Sequence, residues 1–130
     1  MYGKIFFMND KQSETRLPFA EAVKAGPFLY ISGQIGVGGD EAIAGQDKFE
    51  REAETVMQNV GGVLQRNGLS YKDLVNVTIY LTDMTDYATT NAVYRRFFTE
   101  TFPARVCIAV KELPMKARIE ISAVAILSTL

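Results

Sequence analysis

The chain has no histidine and no tryptophan, a single cysteine and only four prolines in 130 residues. Without an imidazole there is no Ser-His-Asp or Cys-His activation of a nucleophile, no histidine-bearing zinc site, and no base whose ordinary pKa lies near neutrality. Any chemistry must draw on Arg, Asp/Glu, Tyr, Lys, the one thiol, backbone groups and water. Cys107 has no second cysteine to pair with, so a disulfide framework is excluded and a reducing, cytoplasmic setting is expected. An excess of either charge is also missing, because 14 Lys+Arg against 15 Asp+Glu leave a net charge of −1. No basic run exceeds Arg95-Arg96, so no electropositive stripe awaits a phosphate backbone and nucleic acid is not an expected partner. The longest apolar run near the start, residues 5–8 (IFFM), is too short for a signal core or a membrane span. A soluble protein without a membrane partner is expected.

What the chain does have is apolar patterning: 48% of its residues are hydrophobic. Its length suits one domain, taken as residues 1–130, large enough to bury roughly two-thirds of its unfolded surface. Residues 5–8 read as a strand and the polar stretch 9–16 as a loop. Residues 28–35 (FLYISGQI) read as a strand, followed by Gly-rich turn material at 36–40. From 46 to 67 the apolar positions Phe49, Ala53, Val56, Met57, Val60, Val63 and Leu64 recur at helical spacing, and Gly68 stands where a helix-terminating glycine belongs. The Gly61-Gly62 pair inside this helix costs about 1 kcal/mol per residue against Ala, which suggests close approach to a sheet.

Residues 75–82 alternate as a strand, with Val75, Val77, Ile79 and Leu81 on one face. Residues 86–99 carry Tyr87, Asn91, Tyr94 and Phe98 at helical spacing, with Asp83, Thr85 or Asp86 available as N-cap. Two more strands follow, 104–110 with Arg105 and Cys107 on one face, and 118–127 with Glu120 opposite Ile119 and Ile121. The order β, β, β, α, β, α, β, β reads as an α+β two-layer sandwich: a mostly antiparallel sheet of five or six strands with two helices on one face. The last strand is apolar on both faces near its end, so the uncovered face is expected to pack against further copies of the chain.

Charges within such strands need a reason. Arg105 is suited to clamp a carboxylate with its planar fork, and equally to a structural ion pair with Glu120. Glu120 reads as an acid/base or water-positioning group, or as the other half of that pair. Cys107 beside a guanidinium could be a thiolate or a small buried hydrophobe. Ser32-Gly33 could admit a ligand to the backbone or form an ordinary bulge, and Asn91 shares its helix face with aromatic side chains.

Residues 103–113 (PARVCIAVKEL), followed by Ile119-Glu120-Ile121, resemble the C-terminal signature of the reactive intermediate deaminase (Rid, YjgF-type) family. Ser32-Gly33-Gln34-Ile35-Gly36, Gly68-Leu69, Asp73-Leu74-Val75 before Thr78, and Asp86 through Asn91 and Tyr94 to Phe97-Phe98 agree in order and spacing. The resemblance implies a chorismate-mutase-like α+β fold and a homotrimer with clefts between subunits. It also implies cofactor-free hydrolysis of small enamine/imine intermediates, such as 2-aminoacrylate, to 2-keto acids and ammonia. By the same resemblance Arg105 would hold the substrate carboxylate and Glu120 would position water and shuttle protons. Cys107, Ser32 and Gly33 would line the pocket, with Asn91 supporting it. The family often carries Gly-Pro-Tyr and then Ser-Gln-Ala where this chain has Leu17-Pro18-Phe19-Ala20-Glu21-Ala22. Phe19 would therefore wall the pocket without a hydroxyl, and Glu21 would add a carboxylate. A non-catalytic carboxylate-binding or holdase module is the alternative. Ribonuclease or translation-inhibitor activity is disfavoured by the charge balance and the missing histidines.

Overall fold

The computed structural model of the protein describes residues 4–7, 17–36 and 47–127, the first four by their backbone alone. Its elements are β1 (Lys4–Phe7), β2 (Ala22–Ala25), β3 (Phe28–Ile35), α1 (Lys48–Arg66), β4 (Leu74–Leu81), α2 (Tyr87–Arg95), β5 (Ala104–Ala109) and β6 (Ile119–Ile126). The expected order is therefore present. The loop expected at 9–16 and most of the glycine-rich turn expected at 36–40 lie outside the described residues. All six strands form one sheet in the order β1-β2-β3-β6-β4-β5. Every pairing is antiparallel except β4 with β5, which α2 joins as a parallel crossover.

Helix α1 forms because its apolar residues recur every three or four positions. Phe49, Ala53, Val56, Met57, Val60, Val63 and Leu64 are all buried. Asp47 caps its start by accepting from the Phe49 amide. At its end the Gly68 N–H bonds to the Gln65 carbonyl and the Leu69 N–H reaches back to Leu64. Gly68 has φ +73°, the left-handed turn that a β-carbon disfavours. The buried stripe packs on Leu29 and Ile31 of β3, Val77, Ile79 and Leu81 of β4, and Ile119, Ile121, Ala123 and Ala125 of β6. Both helices lie on that face. The opposite face leaves Tyr30, Val106, Ile108 and Ile126 exposed, so the expected asymmetry of the sheet is present.

Four details depart from the pattern. The alternation of β4 breaks at its start: Leu74 pairs with Ala125, Asn76 with Val124, and the intervening Val75 is bulged and exposed. Helix α2 is shorter than its periodicity, because the chain turns away after Arg95 to place Phe97 and Phe98 against Tyr71. Gly61 makes room for a side chain rather than for the sheet. A β-carbon there would collide with the Tyr71 hydroxyl, which donates to the Met57 carbonyl at 2.8 Å. Finally, Glu21 is buried and receives both Nε and Nη2 of Arg66, at 3.2 and 2.6 Å. It ties β2 to the end of α1 and does not add a carboxylate to a ligand site.

The two glycines of α1 should respond oppositely to substitution. Gly61→Ala forces out Tyr71 and should destabilise the protein by about 1–3 kcal/mol. Gly62→Ala meets only the solvent-exposed guanidinium of Arg66, 3.2 Å from its Nη1, and should be neutral or up to about 1 kcal/mol more stable, through helix propensity. Urea denaturation of both variants at one protein concentration measures the contrast.

Candidate active site

Arg105 lies on β5, opposite Val77 of β4, so its side chain emerges on the helix-covered face at the edge of the sheet. There α2 meets it. The Arg105 Nη2 donates to Asn91 Oδ1 at 2.7 Å and lies 3.4 Å from the Tyr87 hydroxyl oxygen. The guanidinium stands over the Tyr94 ring at 4.9 Å and the Tyr87 ring at 5.8 Å, both within cation–π range. Asn91 is thus a support for Arg105 through its carbonyl oxygen, which leaves its amide N–H groups free to donate elsewhere.

The aromatic bed under Arg105 is itself supported. Tyr94 packs on Phe98 at 4.7 Å and stacks on Phe102 at 6.4 Å with 16° between the planes. Phe98 contacts Tyr71, the residue that Gly61 admits. Burial pushes the Tyr94 phenol up to about 12, against the opposing effect of Arg105, so it stays neutral. Its buried hydroxyl has no hydrogen-bond partner among the described residues. A pocket of about 260 Å³ opens beside this group, lined by Asn91, Tyr94, Arg95, Phe102, Pro103 and Arg105. Arg95 and Phe102 were not singled out from sequence, although Arg95 follows Asn91 by four residues and so shares its helix side.

Cys107 lies two residues beyond Arg105 and is half-buried against the core. Burial raises its thiol above the ordinary range, outweighing the nearby guanidinium. The neutral, small-hydrophobe reading of Cys107 therefore prevails over the thiolate.

Glu120 is elsewhere. It pairs across the sheet with Tyr80 of β4 and Ile35 of β3 and emerges on the open face. Strands β5 and β6 do not pair as a hairpin, because β4 runs between them. The single chain therefore holds Arg105 and Glu120 on opposite faces, and the ion pair between them does not form. Glu120 lies beside a bulge of β3, where a β-carbon on Gly33 would collide with its carboxylate. The absence of that carbon is what admits Glu120. Both polar groups of Ser32 are engaged: its N–H bonds to Glu21 O at 3.0 Å and its hydroxyl to Ala20 O at 2.6 Å. Ser32 thus anchors the segment carrying the exposed Phe19 and offers a ligand neither its N–H nor its hydroxyl proton. Among the described residues no three His, Cys, Asp or Glu side chains converge to hold a metal ion, and no helix is long and apolar enough to cross a membrane.

The fold is thus an α+β sheet with helices on one face and a fixed guanidinium at its edge. The sequence model of the Endoribonuclease L-PSP family matches residues 10–127, and the chain belongs to that family, the Rid/YjgF group of the resemblance above. A 2-iminobutanoate/2-iminopropanoate deaminase of Salmonella typhimurium is 38% identical over 112 residues, covering 84% of this chain and 87% of its own. A RutC family protein of Synechocystis is 40% identical over 114 residues, covering 86% and 88%. The crystal structure of E. coli TdcF with bound serine superposes with a TM-score of 0.76 at 33% identity, covering 86% of this chain and 90% of that one.

Burial also raises the Glu120 carboxyl above the usual carboxylate range, so the folded chain holds this proton more tightly than the unfolded chain. Its stabilising contribution is full below the unfolded pKa and is lost as pH rises through the folded one. Glu120→Gln should therefore match the wild type at about pH 3 and exceed its stability at about pH 7. Urea denaturation at both pH values checks this, and a less stable variant at the higher pH would contradict it.

Proposed function

We propose that the protein hydrolyses small 2-imino and 2-enamino carboxylates to 2-keto acids and ammonia, without a cofactor. The observation that carries this reading is Arg105. It is held by Asn91 and two aromatic rings at the edge of a small pocket, and has no carboxylate within ion-pair distance among the described residues. A guanidinium anchored through one nitrogen keeps its remaining N–H groups to grip a ligand carboxylate. The deaminase relative and the serine-bound relative both support a ligand with a carboxylate beside a nitrogen-bearing carbon.

The chemistry then needs little more. An enamine first gains a proton on its terminal carbon and gives one up from nitrogen to become the imine, whose carbon is electrophilic. A placed water then adds its oxygen there, one water proton goes to nitrogen, and the C=N bond becomes a C–N single bond. The resulting carbinolamine collapses to a C=O bond as its hydroxyl proton passes to nitrogen, and ammonia leaves carrying both protons of the water. Orientation by the carboxylate clamp supplies the entropic part of the acceleration. Glu120 would receive the water proton and return it to the departing nitrogen, a task favoured by its raised pKa.

Because Glu120 and Arg105 face opposite sides of one sheet, a shared site requires two copies of the chain. We propose a homotrimer in which the Arg105 edge of one subunit laps the open face of the next. The exposed Tyr30, Val106, Ile108 and Ile126 on that face support such packing. The family's description names a ribonuclease, a reading that the net charge of −1 and the missing histidines disfavour.

Two measurements test this. Arg105→Lys keeps the charge and loses the fork, and should lower kcat/KM for enzymatically generated 2-aminoacrylate at least about tenfold; Arg105→Ala should lower it at least about a hundredfold. Carboxylate binding without turnover in the wild type would refute the catalytic reading and leave a binding module. In the second, inactive Arg105→Ala and Glu120→Ala chains are unfolded together and refolded at equal ratio. Random trimers then place both intact groups at about one interface in four, so about a quarter of the activity should return. No recovery in mixed trimers would refute a site shared between subunits.

A further inference from the structure

Six arginines lie among the described residues, and four of them have carboxylate partners: Arg51 with Glu54, Arg66 with Glu21, Arg96 with Glu50 and Glu54, and Arg118 with Asp86. Arg95 and Arg105 have none among those residues. These same two arginines line one pocket of about 260 Å³. Arg95 ends α2, one turn beyond the Asn91 that holds Arg105. Among the described residues no carboxylate lines this pocket, and its other walls are Asn91, the stacked rings of Tyr94 and Phe102, and Pro103.

Two arginines without a carboxylate partner among the described residues line one hollow and concentrate positive charge there, in a chain whose net charge is −1. A monocarboxylate answers only one of them. A ligand with two carboxylates a few bonds apart answers both, each through charge-assisted hydrogen bonds. We infer that the site prefers doubly anionic ligands. In terms of the proposed reaction, on which this substrate assignment rests, these are 2-imino dicarboxylates of four or five carbons. Arg105 takes the carboxylate next to the imine and Arg95 the distal one, so Arg95 acts on specificity rather than on the chemical step.

The test compares 2-oxoglutarate with 2-oxopentanoate, keto acids of equal chain length that differ by the distal carboxylate, in calorimetric titrations. Wild type should bind the dicarboxylate at least about tenfold more tightly. Arg95→Gln should bring that ratio close to one, Arg95→Lys should keep most of it, and Arg105→Ala should weaken both ligands. Equal binding by the wild type, or a ratio unchanged in Arg95→Gln, overturns the inference. Turnover is read separately, on imines generated from the matching amino acids. If neither imine is hydrolysed while the binding ratio stands, the deaminase reading fails and the dicarboxylate site survives. If imines are hydrolysed with a ratio near one, only the dicarboxylate inference fails.

Discussion

Both helices cover the same face of the sheet, and the rest of the molecule depends on that one constraint. Burial of the α1 stripe against β3, β4 and β6 makes the core and, among the described residues, leaves the opposite face without a cover of its own. Side chains alternate along each strand, so every charged residue is assigned to one side or the other by register alone. Arg105 goes to the helix side, where α2 can hold it, and Glu120 to the open side, where Gly33 leaves room for it. A chain built this way carries Arg105 and Glu120 on separate faces and does not join them.

Arg105 illustrates how far inside the protein a surface group is determined. Its guanidinium sits on Tyr94, Tyr94 on Phe98, and Phe98 against Tyr71, whose hydroxyl bonds to α1 where Gly61 admits it. Each contact removes freedom from the next, so the cation is oriented before any ligand arrives. That is the condition under which a bidentate clamp loses little entropy on binding. The helix glycine and the guanidinium thus belong to one packing chain, although 44 positions separate them.

Much of this was legible beforehand, because periodicity reports burial directly. The stripe of α1, the alternation of β6 and the terminating Gly68 each follow from a spacing rule applied within one segment. Errors arose where a segment's geometry depends on its neighbour. Val75 leaves the buried face because β4 bulges against β6, and Gly61 answers to a tyrosine ten residues on. Glu21 reads as an added carboxylate of the ligand site until Arg66 is seen beside it. Arg95 and Phe102 escaped notice because nothing in their own segments marks them as facing Arg105.

Composition and local spacing set which residue types are available for chemistry, how each element is patterned, and, through the run from Pro103 to Glu120, the family. These are local or compositional properties, carried by each short stretch of chain. The closed fold alone shows that β4 separates β5 from β6, that Arg105 and Glu120 face opposite ways, and that two arginines without carboxylate partners among the described residues line one pocket. Those outcomes depend on strand order and on contacts between distant segments. Such contacts are set by how the core closes, and no single stretch of the sequence encodes them.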